Sequence, residues 1–119
     1  MSEKRYRIVN TRSLPSTPCP CGTAKRAFTE DDDQIASLHV VNISQDSRVH
    51  YHKKMTEIYY ILDGNGQIEL DGMRFDVSPG SSVLIKPGCR HRAIGKLKLI
   101  NIPIPAFDPT DEWFDDETT

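Results

Sequence analysis

The sequence predicts an all-β fold, on three observations. From Ile35 onward it passes through short runs rich in Val, Ile, Tyr and Phe: IASLHVVNI, EIYYIL, QIEL, MRFDV, SVLI and LKLINIPI. Turn signals of defined type separate these runs, namely Asp63-Gly64-Asn65-Gly66, Asp71-Gly72, Pro79-Gly80 and Pro87-Gly88. No segment of ten or more residues keeps a 3.6-residue apolar period, so any helix is short.

Taken in chain order, Asn10 to Gly22 carries Pro15, Pro18 and Pro20 among Ser and Thr, which suits an extended arm or loop and disfavours helix. Glu30 to Asp33 (EDDD) reads as a solvated turn before the first apolar run. Asp71-Gly72 is the clearest hairpin, because a type I′ turn needs positive φ at both central positions and Asp-Gly supplies it at little cost. QIEL and MRFDV are therefore expected to be antiparallel partners. Short strands with evenly spaced turns fit a sandwich or a closed barrel equally well, and periodicity alone does not choose.

Bulk properties narrow the classes. A chain of 119 residues suits one domain, large enough to remove roughly two-thirds of its unfolded surface from water without staples. Apolar residues make up 37% and charged residues 27%, and no apolar run approaches the ~18 residues of a spanning helix, so neither a disordered chain nor a membrane protein is expected. The net charge of -2 is segregated, with Lys4, Arg5, Arg7 and Arg12 at the start and Asp108, Asp111, Glu112, Asp115, Asp116 and Glu117 at the end. No broad basic surface is implied, so nucleic acid is not an expected partner. MSEKRYRIVN has no apolar segment after its basic residues, so the protein is expected in the cytoplasm. Cys19, Cys21 and Cys89 are an odd number, and the Cys19-Pro20-Cys21 spacing is too short for an unstrained bridge; reduced thiols are the expectation.

Three of the four histidines then fall into one pattern: His50-Tyr51-His52, Glu57 after four residues, and His91 beyond the Asp-Gly hairpin. On a strand, residues i and i+2 point to the same face about 6.6 Å apart, near enough for two imidazoles to converge on one ion. A carboxylate at Glu57, opening the next strand, adds the negative charge that favours a divalent cation. His91 follows the Pro87-Gly88 turn and can deliver a third imidazole from another strand. Three nitrogens and one oxygen leave open positions on a five- or six-coordinate ion for water, substrate or O₂.

With these residues in place, the sequence resembles the cupin superfamily, in particular its small single-domain "conserved barrel" members. The first cupin motif, G-x5-H-x-H-x(3,4)-E-x6-G, corresponds here to Ser44, His50, His52, Glu57 and Gly64, with the leading Gly replaced. The second, G-x5-P-x-G-x2-H-x3-N, corresponds to Gly80, the Lys86-Pro87-Gly88 turn with Lys86 where Pro is usual, His91, and Gly95 where Asn is usual. The resemblance spans about Ile35 to Ile104. It implies a double-stranded β-helix, or jelly-roll, barrel holding one divalent transition metal (Fe, Mn, Ni, Cu or Zn), and frequent homodimerisation. The organisation expected is then an N-terminal arm with first strands over 1–34, a barrel core over 35–105 and an acidic tail over 106–119, all one domain.

Strand parity suggests what lines the pocket. If His50 and His52 face inward, Arg48 does so at the mouth; if Glu57 does, so do Tyr59 and Ile61. Tyr59 is the leading candidate for a polar or catalytic group facing substrate. His39 shares a strand face with Ser37 and Val41 and reads as an ordinary strand histidine, while Trp113 in the acidic tail is expected to be partly buried. The leading expectation is a metalloenzyme on a small organic molecule, of dioxygenase or of isomerase or lyase type. The alternative is a non-enzymatic, metal-dependent small-molecule binding or sensing module. Fold alone does not choose between them.

Overall fold

The computed structural model describes residues 5–30 and 33–115. Lys4, Asp31, Asp32, Asp116 and Glu117, members of the charged segments above, lie outside the described residues. A 3-10 turn at Thr11–Ser13 precedes nine strands: β1 (Thr17–Cys19), β2 (Gly22–Ala27), β3 (Leu38–Ile43), β4 (Thr56–Gly64), β5 (Gly66–Leu70), β6 (Met73–Val77), β7 (Ser82–Ile85), β8 (His91–Ile94) and β9 (Leu97–Ile104). They form a six-stranded sheet in the order β1-β2-β3-β9-β4-β7 and a three-stranded sheet in the order β6-β5-β8, with antiparallel pairing throughout.

Each β-rich run of the sequence became a strand. The Asp71-Gly72 hairpin joins β5 and β6 in the expected register, with φ of 49° and 86° at its two central residues. Three strands lie outside those runs. β1 and β2 grow from the Pro-containing arm and its sequel and continue the large sheet beyond β3; Pro18 is tolerated because β1 is an edge strand whose missing N–H breaks no interior ladder. β8, His-Arg-Ala-Ile, is short and polar.

The two sheets pack face to face. Register sorts the inner face of the large sheet into rows, because directly opposed residues of antiparallel strands share a face. One row is Ala24, Val41, Leu99 and Ile61. It meets Ile68, Val77 and Ala93 of the small sheet in one apolar cluster, with Ile61 and Ile68 fully buried. Removing each such aliphatic side chain from water stabilises the fold by about 1.5–3 kcal/mol. The next row is Arg26, His39, Asn101, Tyr59 and Val83, and beyond it Pro103, Glu57 and Ile85. The interior thus turns from apolar to polar along the same strands, and the histidines gather at the polar end. No helix among the described residues is long and apolar enough to cross a membrane. All three cysteines are free thiols.

Candidate metal centre

His91 opens β8 in the small sheet, and Glu57 stands near the start of β4 in the large one, so the centre lies where the sheets meet. His50 and Tyr51 do not belong to a continuous strand, unlike the expectation from their i, i+2 spacing. Each makes a single bridge instead: His50 pairs with His91 and Tyr51 with Trp113. The His50–His91 pair exchanges both amide bonds, His50 N–H to the His91 carbonyl at 3.1 Å and His91 N–H to the His50 carbonyl at 2.9 Å, which sets the two side chains beside each other. The Pro87-Gly88 turn contributes directly, since the Gly88 amide donates to the His52 carbonyl at 2.8 Å. Gly88 has φ of 89°, a conformation that suits glycine.

The three imidazoles form a compact group, with ligand atoms that all lie within 4.8 Å of one another. Ring centroids are 4.3 Å apart for His50 and His91, 5.3 Å for His50 and His52, and 5.2 Å for His52 and His91. His91 and His52 are buried and His50 is half-buried. Each ring is oriented by the same device. His50 Nδ1 meets the Arg48 carbonyl at 2.9 Å, His52 Nδ1 the Asp111 carbonyl at 2.6 Å, and His91 Nδ1 the Cys89 carbonyl at 2.8 Å. A carbonyl only accepts, so each Nδ1 carries the proton and each Nε2 is left to face the cluster. Metal-binding histidines are fixed in this way by the bond that their other nitrogen makes.

Glu57 sits against two of the three rings. Its Oε1 is 2.9 Å from His52 Nε2 and 3.0 Å from His91 Nε2, while Oε2 accepts from Asn101 Nδ2 at 2.8 Å. With Nδ1 already protonated, a bond from Nε2 to Glu57 needs a second proton on the ring, and a metal cation is the other species that satisfies nitrogen and carboxylate together. Burial alone would raise the Glu57 carboxyl, but the contacts with His52 and His91 outweigh it and hold the group well below the usual carboxylate range. Burial lowers the His52 ring, yet the bond and charge of Glu57 reverse this and raise it. His50 is brought down to about 4 by burial and by its neighbour His91, so it is neutral and able to ligate. The donor set of three nitrogens beside an anionic oxygen in a buried site fits a divalent transition metal.

The remaining expected site residues divide. Tyr59 faces inward on β4, its ring centroid 6.3 Å from that of His91. Burial and the charge of Glu57 push its phenol well above its ordinary value, so it is a neutral hydrogen-bond donor. Ile61 lies one row deeper, fully buried in the apolar cluster. Arg48 is exposed, with its guanidinium 4.0 Å from the Phe114 ring centroid, and it touches the site through its carbonyl on His50.

Sequence reading missed two contributors. Asp111 accepts the amides of Lys53, Lys54 and Met55 at 2.9, 2.9 and 3.0 Å, so it shapes the whole loop after His52 while its carbonyl aims the ring. Its partners lie more than fifty positions away, and only a tail acidic residue flanking a lone Trp hinted at docking. Asn101 was hidden inside the apolar run LKLINIPI, where its polarity was the available signal. Around Asp111 the tail lies against the histidine loop: Trp113 remains 40% exposed with the Lys53 ammonium 3.6 Å from its ring, and Arg90 binds Asp115 at 2.8 and 3.0 Å.

A family model for the cupin domain matches residues 37–98, more than half of the chain. The chain belongs to the cupin family. A crystal structure of a protein from Planctomyces limnophilus superposes on this cupin with a TM-score of 0.89 at 37% identity, covering 95% of this chain and 100% of that one. An uncharacterized protein of Methanocaldococcus jannaschii is 33% identical over 76 residues, which are 60% of this chain and 61% of the relative, so the match spans about three-fifths of that curated relative. Pac13 from Streptomyces, described as a nucleoside dehydratase, shares the cupin fold at a TM-score of 0.75 and 14% identity, over 97% of this chain and 98% of Pac13.

Proposed function

We propose that this cupin is a metal-dependent enzyme for a small organic molecule, with His50, His52, His91 and Glu57 as ligands of one divalent transition ion. The observation that carries this reading is the shared orientation of the three imidazoles, each tied through Nδ1 to a different backbone carbonyl and each left with Nε2 toward one point. A lone histidine on a carbonyl is commonplace. Three that converge beside a buried carboxylate describe ligands oriented in advance of an ion.

A bound ion would supply Lewis acidity toward a substrate oxygen. The chain supplies the rest: Glu57 provides compensating negative charge, Asn101 holds the oxygen of Glu57 turned away from the histidines, and Tyr59 offers a neutral phenol from the adjoining row. That Pac13 is a dehydratase supports lyase or isomerase chemistry as the first to assay, with oxygenation as the second. Free cysteines support a reducing, cytoplasmic setting. The outer face of the large sheet, where Tyr60, Leu84 and Ile104 are exposed beside Ile58, Ile100 and Ile102, supports a second copy of the chain as partner.

Elemental analysis of protein purified without added metal tests the ligand set. About one ion per chain is expected in the wild type and a near-complete loss in His91→Ala, with binding in both weakening as pH falls because imidazole ligands must be deprotonated. Unchanged metal content in His91→Ala refutes the reading. For the partner, sedimentation equilibrium of Leu84→Lys is expected to give a monomer where the wild type gives a dimer.

A further inference from the structure

The second inner row of the large sheet carries polar capacity that the protein does not itself use. Strands β2, β3, β9 and β4 place Arg26 opposite His39, His39 opposite Asn101, and Asn101 opposite Tyr59. Nε of Arg26 and Oδ1 of Asn101 are buried without a hydrogen-bond partner. His39 engages Ser37 through Nε2 at 2.8 Å, and among the described residues its Nδ1 has no partner. Nor, among the described residues, does the Tyr59 hydroxyl. Folded proteins rarely leave buried polar atoms unpaired; of the three such atoms among the described residues, Arg92 Nε lies on β8 and the other two, Arg26 Nε and Asn101 Oδ1, share this row and point to a ligand that completes them.

Charge narrows the ligand. Among the described residues no carboxylate pairs with the Arg26 guanidinium, which lies 4.8 Å from the centroid of the Phe107 ring. Phe107 also packs edge-on against His39, with centroids 5.2 Å apart, and so backs both residues. The carboxylate on this face, Glu57, has both oxygens taken by His52, His91 and Asn101. Burial and the nearby Arg26 charge bring His39 down to about 4, so it adds no second positive charge but offers a neutral imidazole. The row thus holds a cation without a carboxylate partner among the described residues, an amide oxygen in need of a donor, and a phenol able to donate.

We propose that this row is the substrate-recognition subsite of the barrel, and that it selects a small hydroxycarboxylate. Arg26 pairs side-on through Nε and an Nη with the carboxylate, and Asn101 Oδ1 accepts from a hydroxyl. The unpaired Nε favours a planar carboxylate, since two parallel N–H groups match its two oxygens. Two strand spacings, about 10 Å, separate the Arg26 and Asn101 backbones, and both side chains reach inward to shorten the gap. Because Asn101 also holds Glu57, a molecule bound in this way has its hydroxyl end at the histidine cluster. The inference rests on the proposed function for which end reacts, and stands apart from it for the role of Arg26.

Isothermal titration of D-glycerate, L-malate and inorganic phosphate tests it, using wild-type protein both as purified and metal-stripped, with Arg26→Gln, Arg26→Lys and His91→Ala alongside. Saturable binding of at least one hydroxycarboxylate is expected, weakened about tenfold or more in Arg26→Gln and restored only in part by Arg26→Lys, which keeps the charge but loses the fork. Unchanged metal content in both Arg26 variants shows that they fold. Equal binding by Arg26→Gln and wild type overturns the proposal. So does Arg26-dependent binding of phosphate without the hydroxy acids, or no saturable binding of either hydroxy acid at millimolar concentration. Arg26-dependent binding that persists in metal-stripped protein and in His91→Ala supports the subsite whatever becomes of the metal assignment, which fails separately if wild type and His91→Ala carry equal metal.

Discussion

Two adjacent rows on the inner face of the large sheet, Ala24-Val41-Leu99-Ile61 and Arg26-His39-Asn101-Tyr59, come from the same four strands and differ in nearly everything else. The first is aliphatic and closed against the small sheet. The second is polar, incompletely paired, and borders the histidine cluster. Each step from one row to the other is two residues along a strand, about 6.6 Å. Depth along the barrel therefore decides whether an inward position serves cohesion or chemistry, and membership of a particular strand does not.

The contrast makes quantitative demands. Ile61→Ala empties space in the closed row, so it is expected to lower unfolding free energy by about 2–5 kcal/mol in urea titration while metal content per folded chain is retained. A loss of well under 1 kcal/mol would mean that the closed row is not closed.

An intermediate effect is expected at Asp111, which supports the polar end from the tail. Asp111→Ala should cost about 2–3 kcal/mol, because three loop amides lose a charged acceptor, and it should also weaken metal binding because the loop that presents His52 is released. Burial raises the Asp111 carboxyl, but the amides of Lys53, Met55 and Lys54 and the Trp113 indole outweigh it and hold the group below 3.8. A depressed carboxyl contributes stability that is complete above its unfolded value and disappears as pH falls through the folded one. The wild type should therefore lose stability below about pH 3.8 relative to Asp111→Ala, and parallel acid limbs for the two proteins would contradict the assignment.

Tyr59→Phe should have the smallest effect on folding. Its hydroxyl has no partner among the described residues, so a stability change within about 0.5 kcal/mol and unaltered metal content are expected, with any loss confined to turnover or ligand affinity. A large destabilisation would place the hydroxyl in the fold and remove it from the pocket.

Much of this architecture was legible in the sequence because the signals were local. Runs such as EIYYIL and SVLI declared strands through β-branched and aromatic content, and Asp71-Gly72 declared its hairpin through the φ values that it permits. The histidine grouping was legible through the short spacing of His50, His52 and Glu57 and the Pro-Gly turn just ahead of His91, although isolated bridges to His91 and Trp113, and not a continuous strand, hold the His50 segment. First strands were expected somewhere in 1–34, but β2, Gly-Thr-Ala-Lys-Arg-Ala, was not located because its inward residues are small or charged and lack the usual apolar alternation. Parity likewise cannot separate His39 from Val41, which point the same way from the same strand. The polar row exists only through register across β2, β3, β9 and β4, and no short window of sequence contains it. The role of Asp111 was out of reach for the same reason, lying in contacts that close a loop of more than fifty residues.

That long closure has a consequence for biogenesis. A ribosome has finished all three imidazoles once residue 91 is made, yet the carbonyl that aims His52 is supplied only at residue 111. A chain interrupted between these two points would keep every imidazole and lose the tether that orients one of them, together with the acceptor for the Lys53, Lys54 and Met55 amides.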